Sequence, residues 1–158
     1  MRLRVIAVGT RMPEWVDAGF NDYARRLRTP YTLELRELAT ATRSGSSAGA
    51  ARQAMAEEAK RILVALGARS YVVALDERGA SPTTLKLARW LDDRRGAGQD
   101  LDFIIGGPDG LADEVLQRAD YRWSLSPLTL PHGLVRVFLA EQLYRAASVL
   151  DNHPYHRQ

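Results

Sequence analysis

The chain has no cysteine in 158 residues. That excludes disulfides, thiolate nucleophiles and thiolate-type zinc sites, so the fold has to stand on its core alone. No apolar run approaches the ~20 residues that a membrane span needs. Leu3 to Val8 is too short for the core of a signal peptide, and Arg4 interrupts it. A cytoplasmic protein without a membrane partner is therefore expected. There is no phosphate loop ending in Gly-Lys-Ser/Thr and no three-glycine dinucleotide fingerprint opening a helix. Histidine is scarce, with only His132, His153 and His156, all close to the C-terminus. His153 and His156 have no obvious third ligand, so no metal centre is expected.

What is present is ordinary for a globular protein. The 46% apolar and 26% charged content is enough for a substantial core and excludes a largely disordered chain. The length is most economically one domain, residues 1–158. Twenty-two basic against 19 acidic side chains give +3, which permits nucleic-acid binding without suggesting it.

Strand and helix patterns alternate along the whole chain. Leu3 to Val8, Tyr31 to Leu38, Ser70 to Leu75 and Leu101 to Ile105 read as strands; the second alternates as if one face were exposed, and the third is apolar throughout, as in a parallel sheet buried on both faces. Between them, Trp15, Val16, Phe20, Tyr23 and Leu27 recur at helical spacing after Pro13. So do Met55, Ala59, Ile62, Leu63 and Leu66, and then Leu85, Ala88, Trp90 and Leu91, the last set opened by Ser81 as cap and Pro82 as first residue. Ala39 to Gly49 has no periodicity and reads as a mobile loop. This order argues an α/β fold with a mostly parallel sheet, helices on both faces and right-handed crossovers.

Ligands of open parallel sheets bind outside the carboxyl ends of the strands. Two such ends stand out: Leu75-Asp76, leading into a polar loop, and Ile105-Gly106-Gly107-Pro108, followed by the tight turn Asp109-Gly110. Glycines let a backbone approach a ligand closely. Asp113 and Glu114 then sit in the first turn of a short helix. Leu125 to Leu130 is apolar and stiffened by Pro127 and Pro131, which leaves main-chain groups free for a planar, hydrogen-bonding ligand such as an adenine. Both segments also have a purely structural reading as buried connections.

After Gly133 a long helix carries more apolar positions than one stripe requires, so a second face could form a subunit interface. Arg136 lies near its start, where the helix dipole disfavours a cation, and needs another partner there. Glu141 and Arg145 are spaced for an i,i+4 pair. The chain closes on Asp151-Asn152-His153-Pro154-Tyr155-His156-Arg157-Gln158, an unusual density of proton-active side chains for a tail.

Taken in order, Val5 to Gly9, Leu75-Asp76, Ile105 to Leu111, Ser124 to Ser126, Thr129 to His132, Leu134 to Val137, Glu141 to Ala146 and Asn152 to His156 resemble the bacterial ribosomal large subunit methyltransferase H family, of the SPOUT class of RNA methyltransferases. The resemblance covers essentially the full length. It implies a SPOUT α/β fold whose C-terminal segment forms a trefoil knot, and a homodimer. It implies S-adenosyl-L-methionine as cofactor, and methylation of N3 of a pseudouridine in 23S rRNA, in a stem-loop at the subunit interface of the ribosome. The family's cofactor contacts fall on Leu75, Gly106, Leu125, Ser126, Pro127, Leu128, Thr129 and Leu130. The Ala39 to Gly49 loop departs most from the family, being richer in small residues than its charged counterparts.

N3 of pseudouridine is an imide nitrogen whose proton must leave, so a general base or a stabiliser of the developing anion is required. On this resemblance Tyr155 and His156 position or deprotonate the base, while Arg136 and Arg157 offer charge to the anion or to phosphate. His153 faces the RNA. His132 either contacts RNA or fixes the loop before the last helix. The alternatives are a non-enzymatic ribosome or RNA-binding module on the same scaffold, and a different nucleotide-binding α/β enzyme.

Overall fold

A computed structural model of the chain describes residues 1–157, apart from the side chain of Arg157. The elements run β1 (Arg2–Val8), α1 (Glu14–Arg26), β2 (Thr32–Leu38), α2 (Ala48–Ala65), β3 (Tyr71–Ala80), α3 (Thr84–Gly96), β4 (Leu101–Ile105), α4 (Asp113–Arg118), β5 (Tyr121–Trp123) and α5 (His132–Leu150), with a single 3-10 turn at Pro154–Arg157. The five strands form one sheet in the order β2-β1-β4-β3-β5, and every pairing is parallel.

Alternation along the strands divides the core between the two faces of the sheet, because successive side chains point to opposite sides. Leu3, Val5, Ala7, Val73, Leu101, Phe103 and Ile105 share one buried cluster with Phe20 of α1, Leu87 and Leu91 of α3, and Leu139 and Leu143 of α5. Val8, Val72 and Ile104 share the other with Ala59 and Ile62 of α2 and Val115 of α4. Helices therefore cover both faces, as the alternating patterns predict. Among the described residues no helix is long and apolar enough to cross a membrane.

Four elements differ from the sequence expectation. The helix placed around Met55 begins at Ala48, because the Ser47 side chain accepts a hydrogen bond from the Ala50 N–H at 3.1 Å and caps it. The helix expected to open at Pro82 starts at Thr84 with Thr83 as its cap, while the Ser81 hydroxyl donates to the Ser124 carbonyl at 3.3 Å. β5 is only three residues, too short for a period to register, and its partner is the extended end of β3. There the polar stretch Asp76 to Gly79 continues the strand across an irregularity in the register between Leu75 and Ala80. Gly79 is required by this arrangement: a Cβ on it would lie 2.7 Å from the Arg122 carbonyl.

Candidate functional site

All five strands end on the same side, so the loops after β3, β4 and β5 meet there. They enclose a cleft of about 550 Å³. One wall is Leu75 to Arg78, a second is Ile105 to Leu111, and a third runs from Trp123 to Ser126 and from Leu128 to Leu130. His132 and Val135 at the start of α5 and Met55 of α2 close it. Of the residues singled out for cofactor binding, Leu75, Gly106, Leu125, Ser126, Leu128, Thr129 and Leu130 all line this space; Pro127 does not.

The second wall is a turn built by glycines. The Gly110 N–H donates to the Gly107 carbonyl at 3.0 Å, and Gly110 has φ +87°. A Cβ on Gly106 would stand 2.7 Å from the Gly110 carbonyl oxygen. Gly106 is needed first so that the turn can close on itself, and its access for a ligand follows from that closure. The turn is also tied outward. The Arg43 guanidinium pairs with Asp109 at 2.5 Å, and the buried carboxylate of Glu58 accepts the Ala41 N–H at 3.0 Å while packing against Gly107. The Ala39 to Gly49 segment, read from sequence as a mobile loop, is thus exposed but held at three points, the third being the Ala39 carbonyl, which accepts from Arg61 Nη1 at 2.6 Å.

The third wall keeps its polar groups unspent. The Leu128 N–H donates to the Ser126 hydroxyl at 2.9 Å, and the Ser124 hydroxyl donates to the Ser126 carbonyl at 3.0 Å. Among the described residues the N–H groups of Leu125, Thr129 and Leu130 have no protein acceptor. Main-chain groups of this kind are normally paired unless water or a ligand takes them. The lining also holds Asp76, Glu77, Asp109 and Asp113 against Arg78 and His132. Local signals marked Asp76, Glu77 and Arg78 as a polar loop at a strand end, but nothing short-range pointed to Met55, which reaches the cleft from α2.

The other singled-out residues lie elsewhere. Arg136 is fully buried: its Nη1 donates to Glu37 Oε2 at 2.6 Å and its Nη2 to the Gly9 carbonyl at 2.7 Å. These partners answer the unfavourable position near the helix start. They also correct the expectation that Arg136 offers charge to RNA, since no face of its guanidinium is open. It ties the ends of β1 and β2 to α5.

The tail packs on a shallow groove between α1 and α5, lined by Tyr23, Leu134, Val137, Phe138, Glu141, Arg145 and Tyr155. Tyr155 does not line the cleft, so the two are not joined within one chain. The expected Glu141–Arg145 pair is formed at 2.6 Å. The Tyr155 hydroxyl lies 3.0 Å from Glu141 Oε1 and 3.4 Å from the Tyr23 hydroxyl. Burial, followed by these hydrogen bonds and the Glu141 charge, pushes its ionisation well above the usual tyrosine range. In this arrangement the phenol is held protonated and faces the carboxylate as a donor. His156 is half-buried, and its Nδ1 is buried without a hydrogen-bond partner. His153 is exposed; its Nδ1 accepts the Tyr155 N–H at 3.3 Å. The side chain of Arg157, assigned to RNA contact, lies outside the described residues.

A family model described as "Predicted SPOUT methyltransferase" matches residues 1–156. Sheet, cleft and match together define a SPOUT methyltransferase. The chain is 52% identical over 158 residues to the ribosomal RNA large subunit methyltransferase H of Hydrogenovibrio crunogenus, covering 100% of both chains. It is 52% identical, with the same coverage, to the protein of that name from Thioalkalivibrio sulfidiphilus, and 48% identical to that from Chromobacterium violaceum. The chain belongs to the ribosomal RNA large subunit methyltransferase H family. A solved structure of a probable methylase family protein from Haemophilus influenzae has a TM-score of 0.55 at 13% identity, covering 97% of this chain and 69% of that one, which speaks for the fold alone.

Proposed function

We propose that the chain is an S-adenosyl-L-methionine-dependent methyltransferase of 23S rRNA in the cytoplasm, modifying N3 of a pseudouridine on the ribosome as a homodimer with a knotted C-terminal segment. One observation carries this reading: three stretches far apart in the chain, ending at Leu75, Gly106 and Leu130, converge on a single cleft in a chain about half identical, end to end, to rRNA methyltransferases.

The lining fits the cofactor. Leu75, Leu125 and Leu130 offer apolar surface to a purine, the unpaired N–H groups of Leu125, Thr129 and Leu130 offer donors, and the carboxylates of Asp76, Glu77, Asp109 and Asp113 can accept from hydroxyl or ammonium groups. When bound, S-adenosyl-L-methionine supplies an electrophilic methyl group on a cationic sulfur. The protein's remaining tasks are to hold the base in line and to take its N3 proton. His156 is the group in the tail free to accept that proton, His132 at the cleft mouth and His153 on the exposed turn contact RNA, and Arg157 adds a cation. Because Tyr155 and the cleft are separate within one chain, the tail serves the cleft of a second copy. The exposed Trp15 and Leu134 on α1 and α5 supply apolar surface for such a dimer.

The test is calorimetric titration of S-adenosyl-L-methionine, followed by methyl transfer to intact ribosomes and to naked rRNA. Binding with transfer to ribosomes is expected. RNA binding without cofactor binding would instead support the non-enzymatic module.

A further inference from the structure

None of the segment Glu141 to Arg145 lines the cleft. An i,i+4 ion pair accounts for Arg145 but leaves the second occupant of Glu141 unexplained. Glu141 Oε1 receives three donors at once: Arg145 Nε at 2.8 Å, Arg145 Nη2 at 2.6 Å and the Tyr155 hydroxyl at 3.0 Å. A hydroxyl has one proton to give. With that proton directed at the carboxylate, the Tyr23 hydroxyl, 3.4 Å away, is left to donate to the Tyr155 oxygen. The Tyr155 ring is held as well, with the Tyr144 ring centroid 4.7 Å from its own and the Arg145 guanidinium 4.9 Å from its centre. Both ring and hydroxyl of Tyr155 are thus committed to the chain itself.

The next residue is in the opposite condition. His156 sits on the same single turn, Pro154–Arg157, and its buried Nδ1 has no partner. An unpaired buried polar atom needs an explanation, and here it leaves the imidazole uncommitted to the chain where the Tyr155 hydroxyl is committed.

We propose that Glu141, with Tyr23, is a positioning residue: by accepting the Tyr155 hydroxyl proton it anchors the C-terminal turn on α1 and α5 and so sets where the His156 imidazole stands during proton removal. Tyr155 is then the anchor and His156 the chemical group. This rests on the reading that the tail takes part in methyl transfer.

The experiment compares Tyr155→Phe, Glu141→Ala, their double variant, Glu141→Gln and His156→Ala, measuring kcat and KM with intact ribosomes, the Kd for S-adenosyl-L-methionine, and release of C-terminal residues by carboxypeptidase. Loss of a charge-assisted hydrogen bond should lower kcat about tenfold in Tyr155→Phe and in Glu141→Ala, with cofactor Kd and ribosome KM within about twofold. The double variant should be no worse than the single ones, because both remove one contact. Glu141→Gln keeps an acceptor and should restore most of kcat, and carboxypeptidase should act faster on both single variants. If Tyr155→Phe and Glu141→Ala keep full kcat while His156→Ala is inactive, the anchor is overturned and the role of the tail stands. If His156→Ala is fully active, the reading beneath the proposal fails with it. Losses that add in the double variant would also overturn the shared contact.

Discussion

The two ends of the sheet are built in opposite ways. At the amino end, aspartates close off the strands. Asp102, fully buried, accepts from Arg4 at 2.8 and 2.7 Å and from the Gly67 N–H at 2.8 Å. Asp100 accepts the Arg2 N–H and Asp120 the Val72 N–H, each at 2.8 Å. At the carboxyl end, glycine and proline turns leave N–H groups unpaired and carboxylates facing a cleft. A strand end with every polar group paired is scaffold, and one with groups left over is where a ligand can add contacts. Arg136 is the exception at the carboxyl end, a buried cation beside the cleft whose two terminal nitrogens are taken by Glu37 and the Gly9 carbonyl, while its Nε has no partner.

This contrast can be broken at either end. Asp102→Ala should be the most costly change, about 3–5 kcal/mol in chemical denaturation, because it strips a part-buried guanidinium and a part-buried N–H of their acceptor. Cofactor affinity in the folded fraction should stay unchanged; a lost affinity would mean the two ends are not independent. Glu37→Ala should cost less, about 2–3 kcal/mol, since Arg136 keeps the Gly9 carbonyl. Gly106→Ala should lower cofactor affinity by about tenfold or more in calorimetry, through a Cβ forced against the Gly110 carbonyl, at about 1–3 kcal/mol of overpacking strain. Normal binding would show that the turn can relax without losing the wall. Arg43→Ala should change stability by no more than about 1 kcal/mol, because its pair with Asp109 is largely exposed.

Much of the carboxyl end was legible because its signals are short-range. The β-branched run before Gly106, the tight turn at Asp109-Gly110 and the prolines around Leu128 each declare themselves within a few residues. The amino end was silent: Asp102 sits in a strand pattern as one polar residue among apolar ones, and Arg4, 98 positions away, explains it together with the Gly67 N–H. Met55 went unnoticed for the same reason, since its helix pattern says only that one face is buried. β5 is too short for a period to register. The tail was recognised for its chemistry but not for its location, because Tyr155 finds Tyr23 across 132 positions.

By itself the sequence determined the alternation of strands and helices, the parallel sheet with two covered faces, and the glycine and proline segments at the strand ends. These are set by backbone sterics and by hydrophobic periods that repeat within a single element. The tertiary structure alone decided the strand order, the convergence of three stretches on one cleft, the burial of Arg136 against Glu37 and Gly9, and the seat of the tail on α1 and α5. Most of these are choices of partner between elements distant in the chain, up to 132 positions for Tyr155 and Tyr23, and once loop closure costs little more for one distant partner than another, only the packing of the whole core decides among them.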